Sequence, residues 1–350
     1  MDKQEFGEIL LNQKEKLAKS ILERIFERVS ALENIYGEKK KQQSLQDLTY
    51  HLEYLSHAIL LDQPELFKKY VKWIKNVLEN RGLTGELVLI TLEETKNILN
   101  LEFKEKTIHD ILNRFFSGIN NIFQEELKVP LSFIKMDNPY NKEAQDYLDF
   151  ILKGYREKAF LIIEKLEQEG VPLVDIYLNV IQPAQYEVGR LWEINQISVA
   201  REHLSTVISD TIISQFKNIE SKPEKDKKTI ISTCIEREQH ELGIKMISNL
   251  LEYEGWKVFY IGANAPRNSI LNMIKKQDAD LLAISSSLIN HIYLVKQLVD
   301  KIRISECSDI KILVGGKAFN MIPDLWKKVG ADGYAENARK ATKVVEKLLD

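Results

Sequence analysis

A chain of 350 residues, 44% of them hydrophobic, holds enough apolar mass for two or three domains. Its net charge of -3 excludes a protein that grips nucleic acid by bulk electrostatics, and no charge-free apolar run approaches the ~20 residues of a membrane span. Only Cys234 and Cys307 are present, with no CxxC pairing, which excludes a thiolate zinc site and fits a reducing cytoplasm, the expected location.

The opening "MDKQEFGEILLNQKEK" is too acidic and interrupted for a signal peptide. Residues 1–136 read as an all-α domain: "FGEILLNQKEKLAKSILERIFERVSAL" repeats apolar residues at heptad-like spacing with few breakers. Within it Tyr50, Tyr54 and His57 fall near one helix flank with His51 beside them. Leu66, Tyr70, Trp73 and Val77 form a second stripe at i, i+4, i+7 and i+11. Residues 137–220 read as a helical bundle, with Asn138 capping its first helix, Pro139 in the first position, and breaks at "EGVP" and "INQIS". The charged "KNIESKPEKDKK" is a solvated linker.

From 221 to 350 the rhythm changes. Short β-branched runs, "TIISTCI", "KVFYIG", "LLAISSS", "KILVGG" and "GYAE", alternate with long amphipathic segments. Strands alternating with helices imply a doubly wound parallel sheet, so the whole chain is expected to be α + α/β. Ligands of such sheets bind beyond the carboxyl ends of the strands, which selects the loops "EREQHELG", "GANAP", "SSSL" and "VGGKAF".

In the first loop Glu238, His240 and Gly243 form Glu-x-His-x-x-Gly. The imidazole is a metal-ligand type, the acid can orient it by accepting its other N–H, and the glycine leaves room for a close approach. Ser286 and Leu288 follow the third strand, and Gly315 and Gly316 the next. In this order and spacing the residues resemble the cobalamin-binding pattern Asp-x-His-x-x-Gly, Ser-x-Leu, Gly-Gly. The resemblance covers roughly 140–350 and implies a flavodoxin-like cobalamin-binding domain. In it His240 would coordinate cobalt from below, Glu238 would hold His240, and Ser286 and the glycines would line a slot for the displaced nucleotide tail. Glu238 departs from the usual Asp by one methylene, a change expected to loosen or re-aim the support of His240. The plain alternative is a flavodoxin-like domain with ordinary Gly-rich turns.

The second block, in "YLNVIQPAQYEVGRLWEINQISVAREHL", is similar to the four-helix cap of corrinoid proteins. Trp192, Glu202 and His203 match the Trp-x9-Glu-His pattern of adenosylcobalamin light sensors. That resemblance implies Trp192 over the adenosyl group and Glu202 on its ribose. His203 would then be a second cobalt ligand once light breaks the cobalt–carbon bond. By residue type alone Trp192 also suits a core aromatic, Glu202 a helix-start acid and His203 a structural imidazole. His109 and His291 are expected to be structural.

The N-terminal block does not resemble a winged helix-turn-helix, so no direct DNA binding is expected. It looks somewhat like the globin-like bilin-binding domain of photocobilins, which implies biliverdin contacted by His51, Tyr54, His57 and Arg81. A helical dimerisation or signalling module and a haem-binding sensor globin are the alternatives. The combined expectation is a cytoplasmic, homo-oligomeric photosensor using adenosylcobalamin, not an enzyme, away from membranes, with an unidentified signalling partner. The competing expectations are a corrinoid carrier for a methyltransferase and a light-insensitive cobalamin-binding adaptor.

Overall fold

The computed structural model describes residues 1–29, 37–126, 130–215 and 228–350. The chain divides into two compact units, Met1–Lys128 and Val129–Asp350, a division ahead of the expected 136. The expected linker 217–228 lies outside the described residues but for Lys228.

Among the described residues the elements of the first unit are all helices: α1 (Lys3–Asn12), α2 (Lys14–Arg28), α3 (Glu38–Leu60), α4 (Pro64–Glu79), α5 (Gly85–Glu102), α6 (Lys106–Phe116) and α7 (Ile119–Gln124). Asp2 caps α1 by accepting from Glu5 N at 2.8 Å. The heptad-like residues Phe6, Leu10, Leu17, Ile21 and Ile25 are buried, as are Leu52, Leu55 and Ile59 of α3, on which α1 and α2 pack. Gly7 permits that approach, because a Cβ there would lie 2.6 Å from Leu60 Cγ.

The second unit begins with a helical layer of α8 (Asn141–Lys153), α9 (Arg156–Gln168), a long helix and α12 (Val199–Gln215). The long helix runs from α10 (Leu173–Ile176) through a π segment, Tyr177–Ile181, into α11 (Gln182–Glu193). Asn138 does not cap α8. Its Oδ1 accepts from Tyr140 N at 2.9 Å in a turn, so the helix starts at Asn141.

Then β1 (Thr229–Ile235), α13 (Leu242–Tyr253), β2 (Lys257–Ala265), α14 (Arg267–Gln277) and β3 (Leu281–Ser285) alternate. After them come α15 (Ile292–Arg303), β4 (Lys311–Gly315), the short α16 (Lys317–Asn320) and α17 (Leu325–Lys328), β5 (Gly333–Ala335) and α18 (Ala338–Leu349). The five strands lie in the order β2-β1-β3-β4-β5, every pair parallel. That is the flavodoxin-like order, whose switch point falls between β1 and β3. β2 runs on through Ala265, so most of "GANAP" is strand rather than loop. Its pairing with β1 is bulged around Thr233.

The helical layer shares a core with two helices that flank the sheet, while the strand residues Ile230, Leu281 and Leu313 belong to a second core. Tyr147, Ile163, Tyr177, Ile181 and Ile212 cluster with Met246 and Leu250 of α13 and Ala338 of α18. Burying a side chain such as Leu250 contributes about 1.5–3 kcal/mol, so the layer is fastened by its apolar face rather than hung on a linker. Asn249 adds polar fixing, donating to Tyr177 Oη at 3.1 Å and Ile213 O at 3.2 Å. Among the described residues no helix is long and apolar enough to cross a membrane.

Candidate functional site

The loops after β1 and β3 flank the switch point and meet at one carboxylate. Glu238 is fully buried. Its Oε1 lies 2.5 Å from His240 Nδ1 and accepts from His240 N at 3.1 Å. Its Oε2 accepts from Ser287 N at 2.8 Å and Leu288 N at 3.1 Å, and lies 3.1 Å from His291 Nδ1. Burial pushes the carboxyl up, but the hydrogen bonds and charges of His240 and His291 outweigh it and hold Glu238 well below the usual carboxylate range. His240 is pushed up from its ordinary value by its hydrogen bond to Glu238, against its own burial.

The extra methylene of glutamate therefore does not loosen the support of His240. It lets one carboxylate reach His240 and the β3 loop together. With Nδ1 held, Nε2 is the nitrogen left for a ligand, and the His240 side chain is 55% exposed. One imidazole suffices for a metal that arrives in its own macrocycle. Among the described residues no group of three or more His, Cys, Asp and Glu could hold a bare ion.

The loop carrying this pair is braced from β2. Asn264 Oδ1 accepts from Arg237 N at 2.7 Å, and Asn264 N donates to Glu238 O at 2.8 Å. Arg237 and Asn264 both have positive φ, 71° and 53°, a local strain tolerated where the surroundings over-determine the turn. Tyr260 Oη donates to Glu241 Oε2 at 2.7 Å. A Cβ on Gly243 would meet nothing within 4 Å, so open space adjoins the first turn of α13.

Ser286 and the glycine pair lie side by side at the ends of β3 and β4. Ser286 is fully buried, with its Oγ 3.5 Å from Glu238 Oε2 and 3.3 Å from Leu288 O. Ser286 N donates to Gly315 O at 3.0 Å, and Ala318 N to Ser286 O at 3.2 Å. Gly316, with φ 97°, answers to that backbone approach. Leu288 is half-buried.

The helical layer supplies a second acid–imidazole pair. On the first turns of α12, Glu202 Oε2 lies 2.5 Å from His203 Nδ1, and the His203 side chain is 72% exposed. Glu202 also accepts from Thr206 Oγ1 at 3.2 Å and acts electrostatically on His240, favouring its charged form. Glu202 is thus within electrostatic reach of His240. Val199, His203 and Val207, at i, i+4 and i+8 of α12, are all exposed. Trp192, on the last turn of α11, is half-buried.

Buried polar contacts fix α12 in register. Gln185 donates to Ser209 Oγ at 2.7 Å and Tyr147 Oη lies 2.8 Å from the same oxygen. Buried Glu187 chelates Arg190 and accepts from Phe133 N at 3.0 Å. A cavity of about 450 Å³ lined by Lys228, Lys275, Asp280 and Lys311 sits at the amino ends of the strands, away from these loops.

In the first unit, His51 is hydrogen-bonded to Tyr70 and Tyr54 stacks on Tyr70 with centroids 3.7 Å apart. Tyr54 and Tyr70 thus pack on one another at van der Waals distance. Burial lowers the His51 pKa to about 4, so its imidazole is neutral near pH 7. His57 is buried, and Arg81 donates to Val77 O at 2.8 Å at the end of α4. Trp73 stands at the margin of its expected stripe, 37% exposed.

Sequence reading took His291 as structural without its partner, and singled out neither Asn264 nor Gln185. His291 lies too far along the chain from Glu238 for any spacing rule to pair them, and Asn264 was expected in a loop.

Known proteins agree with this architecture. Residues 228–343 match the family model described as B12 binding domain, and residues 143–217 match a second model of the same description. Dimethylamine corrinoid protein 3 of Methanosarcina acetivorans is 25% identical over 204 residues, 57% of this chain and 94% of that protein. Monomethylamine corrinoid protein 2 of Methanosarcina barkeri is 25% identical over 190 residues, 51% of this chain and 85% of that protein. The solved monomethylamine corrinoid protein of Methanosarcina barkeri shares the fold at a TM-score of 0.52 and 19% identity, over 60% of this chain and 99% of its own. The chain carries the paired B12-binding domains of a cobalamin-binding family.

Proposed function

We propose that residues 130–350 hold a cobalamin between the strand ends and the helical layer, with His240 as the lower cobalt ligand, and that the chain is a corrinoid carrier serving a methyltransferase. The observation that carries the reading is the buried Glu238, which holds His240 Nδ1 and leaves Nε2 at the switch point. The choice of a carrier is supported by the relatives, which are named as methylamine corrinoid proteins and are covered almost end to end. This favours the alternative expectation over the photosensor. Bound cobalamin supplies a cobalt–carbon bond whose carbon group passes to an acceptor or is released by light. The chain's own residues orient His240, leave space beside Gly243, and offer the exposed aliphatic face of α12 as an apolar cover.

One observation favours a second reading, a light-responsive switch using adenosylcobalamin. His203 is presented with Nδ1 held by Glu202 and Nε2 left to bind, which suits a second cobalt ligand and is not required of a carrier. The protein would be loaded in the dark with methylcobalamin or adenosylcobalamin and then illuminated, while its absorption spectrum is followed. For a carrier, wild type and His203→Ala give the same photoproduct. A stable bis-imidazole spectrum in wild type that is lost in His203→Ala selects the switch. Both readings require His240→Ala to retain cobalamin more weakly on dialysis, and equal retention sinks both.

Gly243→Ala separates binding from folding. A helical glycine is destabilising by roughly 0.5–1 kcal/mol relative to alanine, and the added methyl meets open space. Thermal melting of the apo-protein is therefore expected to hold or rise, while cobalamin affinity by equilibrium dialysis falls.

A further inference from the structure

The carboxylate that holds His240 is shared with a second, buried imidazole. We infer that His291 is a positioning residue for His240, fixing one oxygen of Glu238 so that the other stays on His240 Nδ1. The inference rests on the proposed role of His240 as cobalt ligand.

His291 ends the 3₁₀ turn Ile289–His291 that leads from the β3 loop into α15, and its side chain is 3% exposed. Its Nδ1 lies 3.1 Å from Glu238 Oε2, and its own backbone N–H donates to Leu288 O at 3.1 Å. The other firm donors on Oε2 are the amides of Ser287 and Leu288, at 2.8 and 3.1 Å. Both belong to the β3 loop, whereas the imidazole projects from the start of α15 and closes a third side of the oxygen. A carboxylate held from three sides at one oxygen cannot swing about its terminal bond, so the direction of Oε1 toward His240 is fixed. Groups that orient a metal-binding imidazole at one remove alter ligation through geometry, and their loss typically costs 10–100-fold in metal affinity.

A buried histidine that merely fills space makes the opposite demands on substitutions, which provides the test. The holo-protein, labelled with nitrogen-15 at histidine, would be reduced to the cobalt(II) state and examined by electron paramagnetic resonance, where splitting by an axial nitrogen-15 reports the fraction with His240 on cobalt and is distinct from that of the cofactor's own unlabelled base. His291→Asn keeps an N–H near the Nδ1 position and loses the ring. His291→Phe keeps the ring and loses the donor, with His291→Leu in reserve should the Phe variant not fold. The expected ratio of histidine-ligated to other cobalt falls roughly tenfold in His291→Phe and stays near wild type in His291→Asn. Full splitting in His291→Phe, or its loss in His291→Asn, overturns the inference. Absence of the labelled splitting in the wild type removes His240 as the ligand and the inference with it, an outcome distinct from a variant-specific effect.

Discussion

Replacing Glu238 by alanine is expected to destabilise the apo-protein by about 3–5 kcal/mol and to abolish retention of cobalamin on dialysis. The carboxylate is the acceptor for the amides of His240, Ser287 and Leu288 and meets the imidazole of His291. Truncation leaves these donors without it at a position that is itself fully buried, and each unsatisfied buried group costs about 1–3 kcal/mol. Urea denaturation of the full chain measures the loss, and a change under about 1 kcal/mol would contradict the network.

Glu238→Gln separates the electrostatic part. Its carbonyl oxygen can still accept from the Ser287 and Leu288 amides, which turns its NH₂ toward His240 Nδ1. Nδ1 must then accept, the proton moves to Nε2, and the imidazole is in the tautomer that cannot ligate a metal. Because the NH₂ also faces the His240 backbone N–H, which loses its acceptor, the expected pattern is a stability loss smaller than that of Glu238→Ala, with lost cobalt ligation.

The same pair fixes the response to pH. The folded Glu238 titrates below its ordinary 4.5, so its stabilisation is present above that value and is lost as pH falls toward the folded one. The folded His240 titrates above its ordinary 6.5, so its contribution is present below that value and is lost as pH rises through the folded one. Apo stability carried by the pair should be fullest between 4.5 and 6.5 and decline on both sides, a profile that Glu238→Gln flattens. Cobalamin should reverse the upper limb, because cobalt competes with a proton for Nε2 and gains as pH rises.

Much of this was legible in the chain. The alternation of β-branched runs with amphipathic segments gave the parallel sheet, and Glu-x-His-x-x-Gly placed His240 on the loop after β1. What stayed hidden depends on contacts across the fold. His291 meets Glu238 only because β1 and β3 are neighbours at the switch point. The brace from Asn264 needs a bulge in β2 that strand propensity does not encode. The aromatic stripes of α3 and α4 were visible as stripes, but spacing cannot distinguish rings that line a gap from rings that fill it. The Tyr54–Tyr70 stack is one such contact that spacing alone does not reveal.

Gly316→Ala is the second substitution expected to have a large effect, for reasons opposite to those at Gly243. With φ 97° and ψ 169°, Gly316 occupies a region open essentially to glycine alone, and another residue there carries about 1–3 kcal/mol of strain. The new Cβ would also lie 2.4 Å from Ser286 O and 2.9 Å from Ser285 Oγ, closer than any packing allows. Relief requires the β4 loop to part from the β3 loop, breaking the bond from Ala318 N to Ser286 O. Overpacking of this kind adds about 1–3 kcal/mol, so a total loss of about 3 kcal/mol or more is expected by thermal or urea denaturation of the apo-protein. Because Ser287 and Leu288 hold Glu238 from that same β3 loop, the displacement should reach His240 as well. Cobalamin retention should therefore fall with the stability in Gly316→Ala, whereas in Gly243→Ala retention falls while stability holds. Equal behaviour of the two variants would mean that Gly243 is kept for the backbone and not for the ligand.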